Sequence, residues 1–218
     1  MRYEFDWSAV YYPQTWLQAL GITLSYSVGT IVVGLALGVV LGLVALSERW
    51  YLRGPIGLFV QFIRCTPLMV QVVWFYYALP ILTGFNLGSW LAAGIGLTLY
   101  MAAFSAEIFR GGVISIEPGQ WNAARALGMS YRKMMWHVIL PQATRRMIPP
   151  FVNQSVLQLK NTSLLYVVAV PDLMYTSYEL TARTYRPLET YTFVALIYFG
   201  ILYPMTRLAK RLETKHAR

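Results

Sequence analysis

Five long stretches of the chain consist mainly of apolar residues, and shorter polar segments separate them. A helix needs about 20 apolar residues to cross the hydrocarbon core of a bilayer, and each stretch approaches or exceeds that length. We therefore predict an all-α membrane protein with five transmembrane helices. The predicted spans are Ile22–Leu46, Ile56–Leu79, Ser89–Ile108, Met147–Val170 and Thr190–Leu208.

The composition supports a membrane protein, because 57% of the residues are hydrophobic and only 12% are charged. That balance excludes an ordinary soluble domain. The aromatic residues before the first span are typical of the membrane interface. They are Trp7, Tyr11, Tyr12 and Trp16. We expect no cleavable signal peptide, because the first apolar run is too long for one and no basic segment precedes it.

The distribution of basic residues predicts the orientation. The formal net charge is +9. If the N-terminus is outside, thirteen Lys and Arg residues flank the spans inside, against Arg2, Arg183 and Arg186 outside. Cytoplasmic segments carry such an excess, so we predict the N-terminus outside and the C-terminus inside. This explains the charge better than nucleic acid binding does.

The whole chain, residues 1–218, reads as a single transmembrane domain. It contains no apparent linker, internal repeat or nucleotide-binding fingerprint. The lack of a repeat offers no support for a secondary transporter made of one chain. With no P-loop either, we expect the energy for any transport to come from another protein.

The segment of about residues 112–146 is a cytoplasmic loop between the third and fourth predicted spans, and it contains a short helix. Pro118 suits the first helical turn, and Gly128 suits the left-handed position after the last. Ser130 is placed to cap a second helix that reaches Leu140, where Pro141 limits its continuation.

The first loop helix carries small residues within a basic surround. Ala123, Ala124 and Gly128 are expected to form a low surface that another protein can approach closely. Arg125 and Arg132 add positive charge to it. From the residues alone, a docking helix and an interfacial helix with basic anchors both remain open.

The spacing of Ala123-Ala124, Gly128 and Leu140-Pro141 resembles the EAA loop of permease subunits in bacterial ABC importers. The chain departs from that pattern at Asn122, which replaces Glu, and at Val138, which replaces Ile. The resemblance implies that this loop is a coupling helix that docks on an ATPase subunit. The residues expected to take part are Glu117, Gln120, Asn122, Ala123, Ala124, Arg125, Gly128, Tyr131 and Arg132.

Three further stretches resemble permeases for polar amino acids. They are FIRCTPLMVQ (Phe62–Gln71), LKNTSLLYVVAVPDL (Leu159–Leu173, with Asn161 in place of Asp) and YEFDW (Tyr3–Trp7). Altogether the resemblance covers most of the chain and is closest to glutamate/aspartate permease subunits.

The resemblance also implies the partners. They are a second permease subunit, identical or homologous, ATP-binding subunits that hold ATP and Mg, and a soluble protein outside the cell that delivers the amino acid. The chain itself is then a non-catalytic, multi-pass protein of the bacterial inner membrane, with no cofactor of its own.

Ionisable residues inside predicted spans are candidates for function, because burying a charge in the membrane is costly. They are Arg64, Glu107 and Lys160. Arg64 precedes Pro67, which is expected to bend the helix, so Arg64 could line a cavity or form a structural ion pair. Glu107 shares a helix face with Arg110, and both could instead reach the interface.

The fourth predicted span is unusually polar. Gln154, Gln158 and Asn161 share one face, and they could line a substrate path or bind other helices together. Amides and cations suit a zwitterion with a second carboxylate or an amide. The substrate-binding candidates are Arg64, Thr66, Gln154, Gln158, Lys160, Asn161, Thr162 and Ser163.

The remaining patterns narrow the function further. Gly34, Gly38 and Gly42 predict a close helix contact, within the subunit or with a partner. We see neither a nucleophile–base pair nor a cluster of metal ligands, so we expect no enzyme and no metal site. The leading hypothesis is the membrane subunit of an ATP-driven importer for polar amino acids, most of all glutamate and aspartate. The alternatives are an ion-coupled carrier or channel without an ATPase, and a purely structural membrane subunit.

Overall fold

A computed structural model describes residues 3–216, and the side chains of residues 3–211. All regular structure in that part of the chain is helical. In chain order the elements are a 3-10 turn (Trp7–Val10), α1 (Pro13–Ala45), α2 (Trp50–Cys65), α3 (Leu68–Val73), a π-helical segment (Trp74–Ala78), α4 (Leu79–Thr83), α5 (Gly88–Ile114), α6 (Pro118–Ala126), α7 (Tyr131–Met134), a second π-helical segment (Met135–Ile139), α8 (Leu140–Asn161), a 3-10 segment (Thr162–Val168), α9 (Leu173–Thr184) and α10 (Pro187–His216).

Three of the described helices are long and apolar enough to cross a membrane: Pro13–Ala45, Gly88–Ile114 and Pro187–Arg211. A fourth span is formed if α2 and the segment Leu68–Thr83 are counted together, although they are bent by 104°. Helix α8 has 22 residues but is more polar than the other three. The all-helical prediction is therefore confirmed, while the count of five spans stays a prediction.

Helix α1 begins earlier than predicted, because Pro13 occupies its first turn. This places Trp16 inside the helix, where it is only 5% exposed. Its indole Nε1 donates to the carbonyl of Val10 at 3.0 Å. The prediction that Trp16 belongs to an interfacial belt is therefore wrong, whereas Trp7, Tyr11 and Tyr12 are exposed.

The glycines of α1 pack against α5, the helix at the centre of the molecule. A Cβ atom added at Gly34 would lie 2.6 Å from the Cβ of Met101, and one at Gly38 would lie 2.3 Å from that of Ser105. Real Cβ atoms do not approach so closely, so only glycine permits this helix contact. The close contact predicted from the glycine spacing is thus confirmed, and it lies within the subunit.

The second predicted span, Ile56–Leu79, is broken rather than bent. Thr66 is extended, with φ −100° and ψ 135°, because a residue before proline is driven out of the helical region. Helix α2 therefore ends at Cys65, and the helix that starts at Leu68 runs in a different direction. The side chain of Gln71 crosses the break, with its Nε2 donating to the carbonyls of Ile63 at 2.8 Å and Thr66 at 3.0 Å.

Two other prolines lie within continuous helices. Each follows two residues after the end of a π-helical segment. Leu79 donates to Trp74 and Leu140 donates to Met135, so each bond closes a turn that is one residue longer than an α-helical turn. The longer turn changes which carbonyl faces the ring of Pro80 or Pro141. In an ordinary α-helix, the proline ring would clash with the carbonyl of the preceding turn and break the helix. The prediction that Pro141 limits the helix is therefore wrong, and the helix is continuous from Tyr131 to Asn161.

The predicted fourth span, Met147–Val170, does not stay α-helical to its end. Helix α8 ends at Asn161, a 3-10 segment follows, and Ala169 is left-handed with φ 57°. Helix α9, which we did not predict, begins after Asp172, whose Oδ1 accepts a hydrogen bond from the amide of Tyr175 at 2.8 Å.

Candidate functional site

Helix α6 is the short loop helix that the sequence predicts. Pro118 lies in its first turn, and Gly128 follows it with φ 69°. The amide of Met129 donates back to the carbonyl of Ala124 at 3.2 Å, as in a left-handed helix cap. Both predicted helix boundaries are confirmed.

Eight of the nine coupling candidates are exposed, and Ala124 is the exception at 3%. Ala124 packs against a cluster that includes Ile116, Met134 and Met135. The expected low surface therefore displays Ala123 and Gly128, while Ala124 fixes α6 to the protein beneath. The role of all nine residues in coupling stays a prediction.

The sequence reasoning missed an apolar patch beside α6. Leu127 is 80% exposed at the end of the helix, and Trp136 is 69% exposed on the next one. Tyr131, already a candidate, is exposed between them in the chain. A leucine immediately before the terminating Gly128 was the available signal, since such a residue lies on the surface of the turn.

Two polar contacts connect α6 with α8. The Nε2 atom of Gln142 donates to the Oε1 of Gln120 at 3.2 Å. The Nη2 atom of Arg146 lies 4.0 Å from the Oε1 of Glu117. Glu117 and Gln120 therefore join the loop helix to the long helix that carries most of the substrate candidates.

Gln158 lies near the C-terminal end of that long helix and has no exposed surface. Its Nε2 donates to the Oγ1 of Thr30 in α1 at 3.1 Å and to the carbonyl of Leu97 in α5 at 2.9 Å. Gln158 thus connects three helices, which is the helix-binding role that the sequence left open. Gln154 and Thr162 are buried beside it, at 5% and 0% exposure.

The same face keeps unused hydrogen-bonding capacity. Buried and without a partner among the described residues are Gln154 Nε2, Gln158 Oε1 and Asn161 Nδ2. Leaving a buried amide atom unpaired costs about 1–3 kcal/mol. The residues that carry these atoms are four and three positions apart on α8. A polar substrate that moves along the helix could therefore contact them one after another.

Arg64 lies elsewhere, at the wall formed by α2 and α5. Its Nη1 is 3.9 Å from the Oε2 of Glu107, and its Cζ is 5.4 Å from the ring centre of Phe104. Arg110 binds the same carboxylate, with its Nε 3.1 Å from Oε2. Glu107 is therefore held by two arginines, and Arg64 has the ion pair that the sequence left open.

The structure does not bring the two candidate cations into one cavity. Arg64, Glu107, Arg146 and Met147 line a cavity of about 400 Å³, and Lys160 is not part of its lining. Lys160 is exposed, and the hydroxyl of Ser163 donates to its carbonyl at 2.8 Å.

The two remaining hydroxyls bond to their own helices. Thr66 donates to the carbonyl of Phe62, and Thr162 donates to that of Leu159 at 2.7 Å. The structure therefore divides the substrate candidates into three groups. They are a buried amide face formed by Gln154, Gln158 and Asn161, the region around Arg64 between α2 and α5, and the exposed Lys160. Their role in substrate binding stays a prediction.

Residues 34–218 match the family of binding-protein-dependent transport system inner membrane components. The chain belongs to this family. Permeases of this family are similar along nearly the whole chain. The glutamine transport system permease protein GlnP of Escherichia coli (strain K12) is 36% identical over 97% of this chain and 98% of its own. The arginine transport system permease protein ArtQ of Bacillus subtilis (strain 168) is 36% identical over 91% of both chains.

Solved structures of such permeases share the fold. A chain in the crystal structure of an amino acid ABC transporter with histidines has a TM-score of 0.92, with 29% identity, 98% of this chain covered and 100% of the other. A chain of the MetNI methionine ABC transporter in an inward-facing conformation has a TM-score of 0.69 over 91% of this chain and 92% of the other, with 20% identity.

Membership of the family decides between the three hypotheses. This permease is a non-catalytic subunit of the inner membrane, and in such systems a partner ATPase hydrolyses the ATP. An ion-coupled carrier and a purely structural subunit are therefore set aside.

Proposed function

We propose that this permease takes up glutamate, aspartate or their amides. The observation that carries the proposal is the state of the ionisable residues that lie within the predicted spans. Glu107 is engaged by Arg64 and Arg110, whereas Lys160 is exposed and forms no ion pair among residues 3–211. An unpaired cation favours a substrate with a second carboxylate.

The buried amides extend the proposal to glutamine and asparagine. Within the described part of the chain, Gln158 and Asn161 each keep one buried amide atom without a hydrogen-bond partner, an oxygen in the first and a nitrogen in the second. One acceptor and one donor match the two ends of a carboxamide. The relative GlnP is named as the permease protein of a glutamine transport system.

We further propose how this permease is driven. Two permease subunits, identical or homologous, pair in the membrane, and each binds an ATPase subunit that holds ATP and Mg. A soluble binding protein delivers the amino acid from the periplasm or the cell exterior. If the N-terminus is outside, and if α1, the broken segment from α2 to α4 and α5 are three spans, α6 faces the cytoplasm, as the excess of basic residues at that end favours.

In this proposal, motion of the ATPase reaches the substrate path through two contacts. The ATPase moves α6, and the pairs Gln120–Gln142 and Glu117–Arg146 pass that displacement to α8. Helix α8 carries Gln154, Gln158 and Asn161, so its displacement changes access to the amide face. Nucleotide can bias this motion only if it binds the two conformations with different affinities.

Uptake by the complete transporter tests the substrate. The complex is reconstituted in vesicles with ATP, the binding protein and labelled glutamate, aspartate, glutamine, arginine or histidine. We expect Lys160→Gln to reduce glutamate uptake about tenfold, which corresponds to the loss of one charge-assisted contact, and to spare glutamine. Arg183→Gln, which removes an exposed cation of α9, is the matched control. Preferred uptake of arginine or histidine would contradict the proposal.

Substitution of Gly128 tests the coupling. Valine strains the left-handed backbone at φ 69°, whereas asparagine tolerates it. We expect Gly128→Val to leave ATP hydrolysis in place and to lower uptake, while Gly128→Asn keeps both. Gly119→Val adds the same bulk to exposed α6 without positive φ and serves as a control. Normal uptake by Gly128→Val would argue against a docked α6.

A further inference from the structure

A cavity between α1, α2 and α5 lies apart from the amide face and from the exposed surface of α6. Its volume is about 390 Å³. Its charged residues are Arg53 in the first turn of α2, and Glu107 and Arg110 near the end of α5. Small and apolar residues, among them Ala45, Gly57, Val60 and Ala106, form much of the rest of its wall.

The charges in this cavity leave an excess of cation. Arg110 bonds to Glu107 through Nε and Nη2, which neutralises the one carboxylate and leaves Nη1 available. The guanidinium of Arg53 has no hydrogen bond or ion pair within the described part of the chain. The site therefore presents free donors and one net positive charge to an anion.

The cavity lies at one end of the helical bundle. Ala45 ends α1, Arg53 begins α2 and Ile114 ends α5, so all three are at the same end of the bundle. The basic loop that contains α6 follows directly from that end. Outside the cavity, Leu58 and Phe62 of α2 are 74% and 63% exposed, and they offer an apolar surface to acyl chains.

We propose that this cavity binds the headgroup of an anionic phospholipid, with its acyl chains lying along α2. The phosphate would contact Arg53 and the free side of Arg110, in the leaflet where positive charge attracts anionic lipids. A free phosphate could use the same arginines, but it would gain nothing from the apolar wall or from Leu58 and Phe62.

Glycine substitutions provide a test that separates filling of the cavity from a change in helix propensity. A Cβ atom added at Gly57 of α2 or at Gly200 of α10 meets no atom within 4 Å, so both positions accept a larger side chain. Only Gly57 lines the cavity. Gly57→Leu therefore fills the site, and Gly200→Leu makes the same change of helix propensity without filling it.

The experiment uses the complete transporter, purified and stripped of lipid. Phosphatidylglycerol, phosphatidylcholine or inorganic phosphate is titrated while the midpoint of thermal unfolding and the retained lipid are measured. Preferential binding raises that midpoint with ligand concentration. We expect a rise with phosphatidylglycerol alone, lost in Gly57→Leu and kept in Gly200→Leu.

Arginine variants distinguish the site from a diffuse electrostatic attraction. Removing one cation that contacts the lipid headgroup weakens binding about fivefold. We expect that loss for Arg53→Gln and not for Arg49→Gln, whose side chain does not line this cavity. The proposal is overturned if both arginine variants or both glycine variants behave alike. It is equally overturned if phosphatidylcholine or inorganic phosphate protects as well as phosphatidylglycerol.

Discussion

Replacing Gly38 by alanine should destabilise the protein, although alanine is the better helix former. The new Cβ would lie 2.3 Å from the Cβ of Ser105, 2.7 Å from the carbonyl oxygen of Ala102 and 3.1 Å from the amide nitrogen of Ala106. Two of these atoms belong to the backbone of α5 and cannot turn away. Helices α1 and α5 must therefore separate locally by about 1 Å to restore ordinary contact distances near 3.5–4 Å.

The expected magnitude follows from two opposing effects. Overpacking a close contact costs about 1–3 kcal/mol, and three short contacts place Gly38→Ala towards the upper end. Gaining a helix former returns about 1 kcal/mol. We therefore expect a net loss of about 1–2 kcal/mol. Gly29→Ala in the same helix meets no atom within 4 Å, so it should stabilise by up to about 1 kcal/mol.

The assay is reversible unfolding of the full chain in mixed micelles, with both variants compared with the unaltered protein. The difference between the two, about 2–3 kcal/mol, isolates the steric effect because the change in helix propensity cancels. Ser105→Gly in the Gly38→Ala background removes one of the three contacts and should restore part of the loss. Equal stability of the Gly29 and Gly38 variants would refute the close approach of the two helices.

Three further predictions use hydrogen bonds. Gln71→Leu leaves the carbonyls of Ile63 and Thr66 without their donor, so we expect a loss of about 1–3 kcal/mol in the same unfolding assay. Gln158→Leu should lower the free energy of unfolding by a similar amount. Substrate affinity of the folded complex then shows whether the unpaired Oε1 of Gln158 also binds substrate. Hydrogen bonds from Ser8 lower the pKa of the Asp6 carboxyl below its ordinary value of 3.8. The N-terminal turn should therefore be stable above pH 3.8 and be lost as the pH falls through the lowered pKa. Proteolysis of that turn at different pH values measures this loss. Asp6→Asn should weaken this dependence, and an unchanged profile would contradict it.

Local patterns predicted much of the fold. The glycine spacing in α1 predicted its contact with α5, because the steric argument needs only residue size and helical period. Pro118 and Gly128 marked the ends of α6 because each fixes its own backbone geometry. The face shared by Gln154, Gln158 and Asn161 followed from helical period in the same way.

Features that depend on distant partners were not predictable. The bend at Pro67 was foreseen, but its extent depends on Gln71, which reaches back to carbonyls on the other side of the break. Pro141 was read as a helix end because a π turn before it leaves no mark in composition. The burial of Ala124 and Trp16 depends on which face meets the core, and two adjacent alanines give no indication of that.

The uninterrupted helix from Tyr131 to Asn161 has a mechanical consequence. Its length is roughly 45 Å, enough to reach from the aqueous side of one leaflet into the opposite one. A helix of this length resists compression along its axis. A displacement of its aqueous end, near Tyr131, therefore tilts the whole helix or rotates it about its long axis. Residues on this helix, Gln158 among them, would then face a different side of the bundle without any local unfolding.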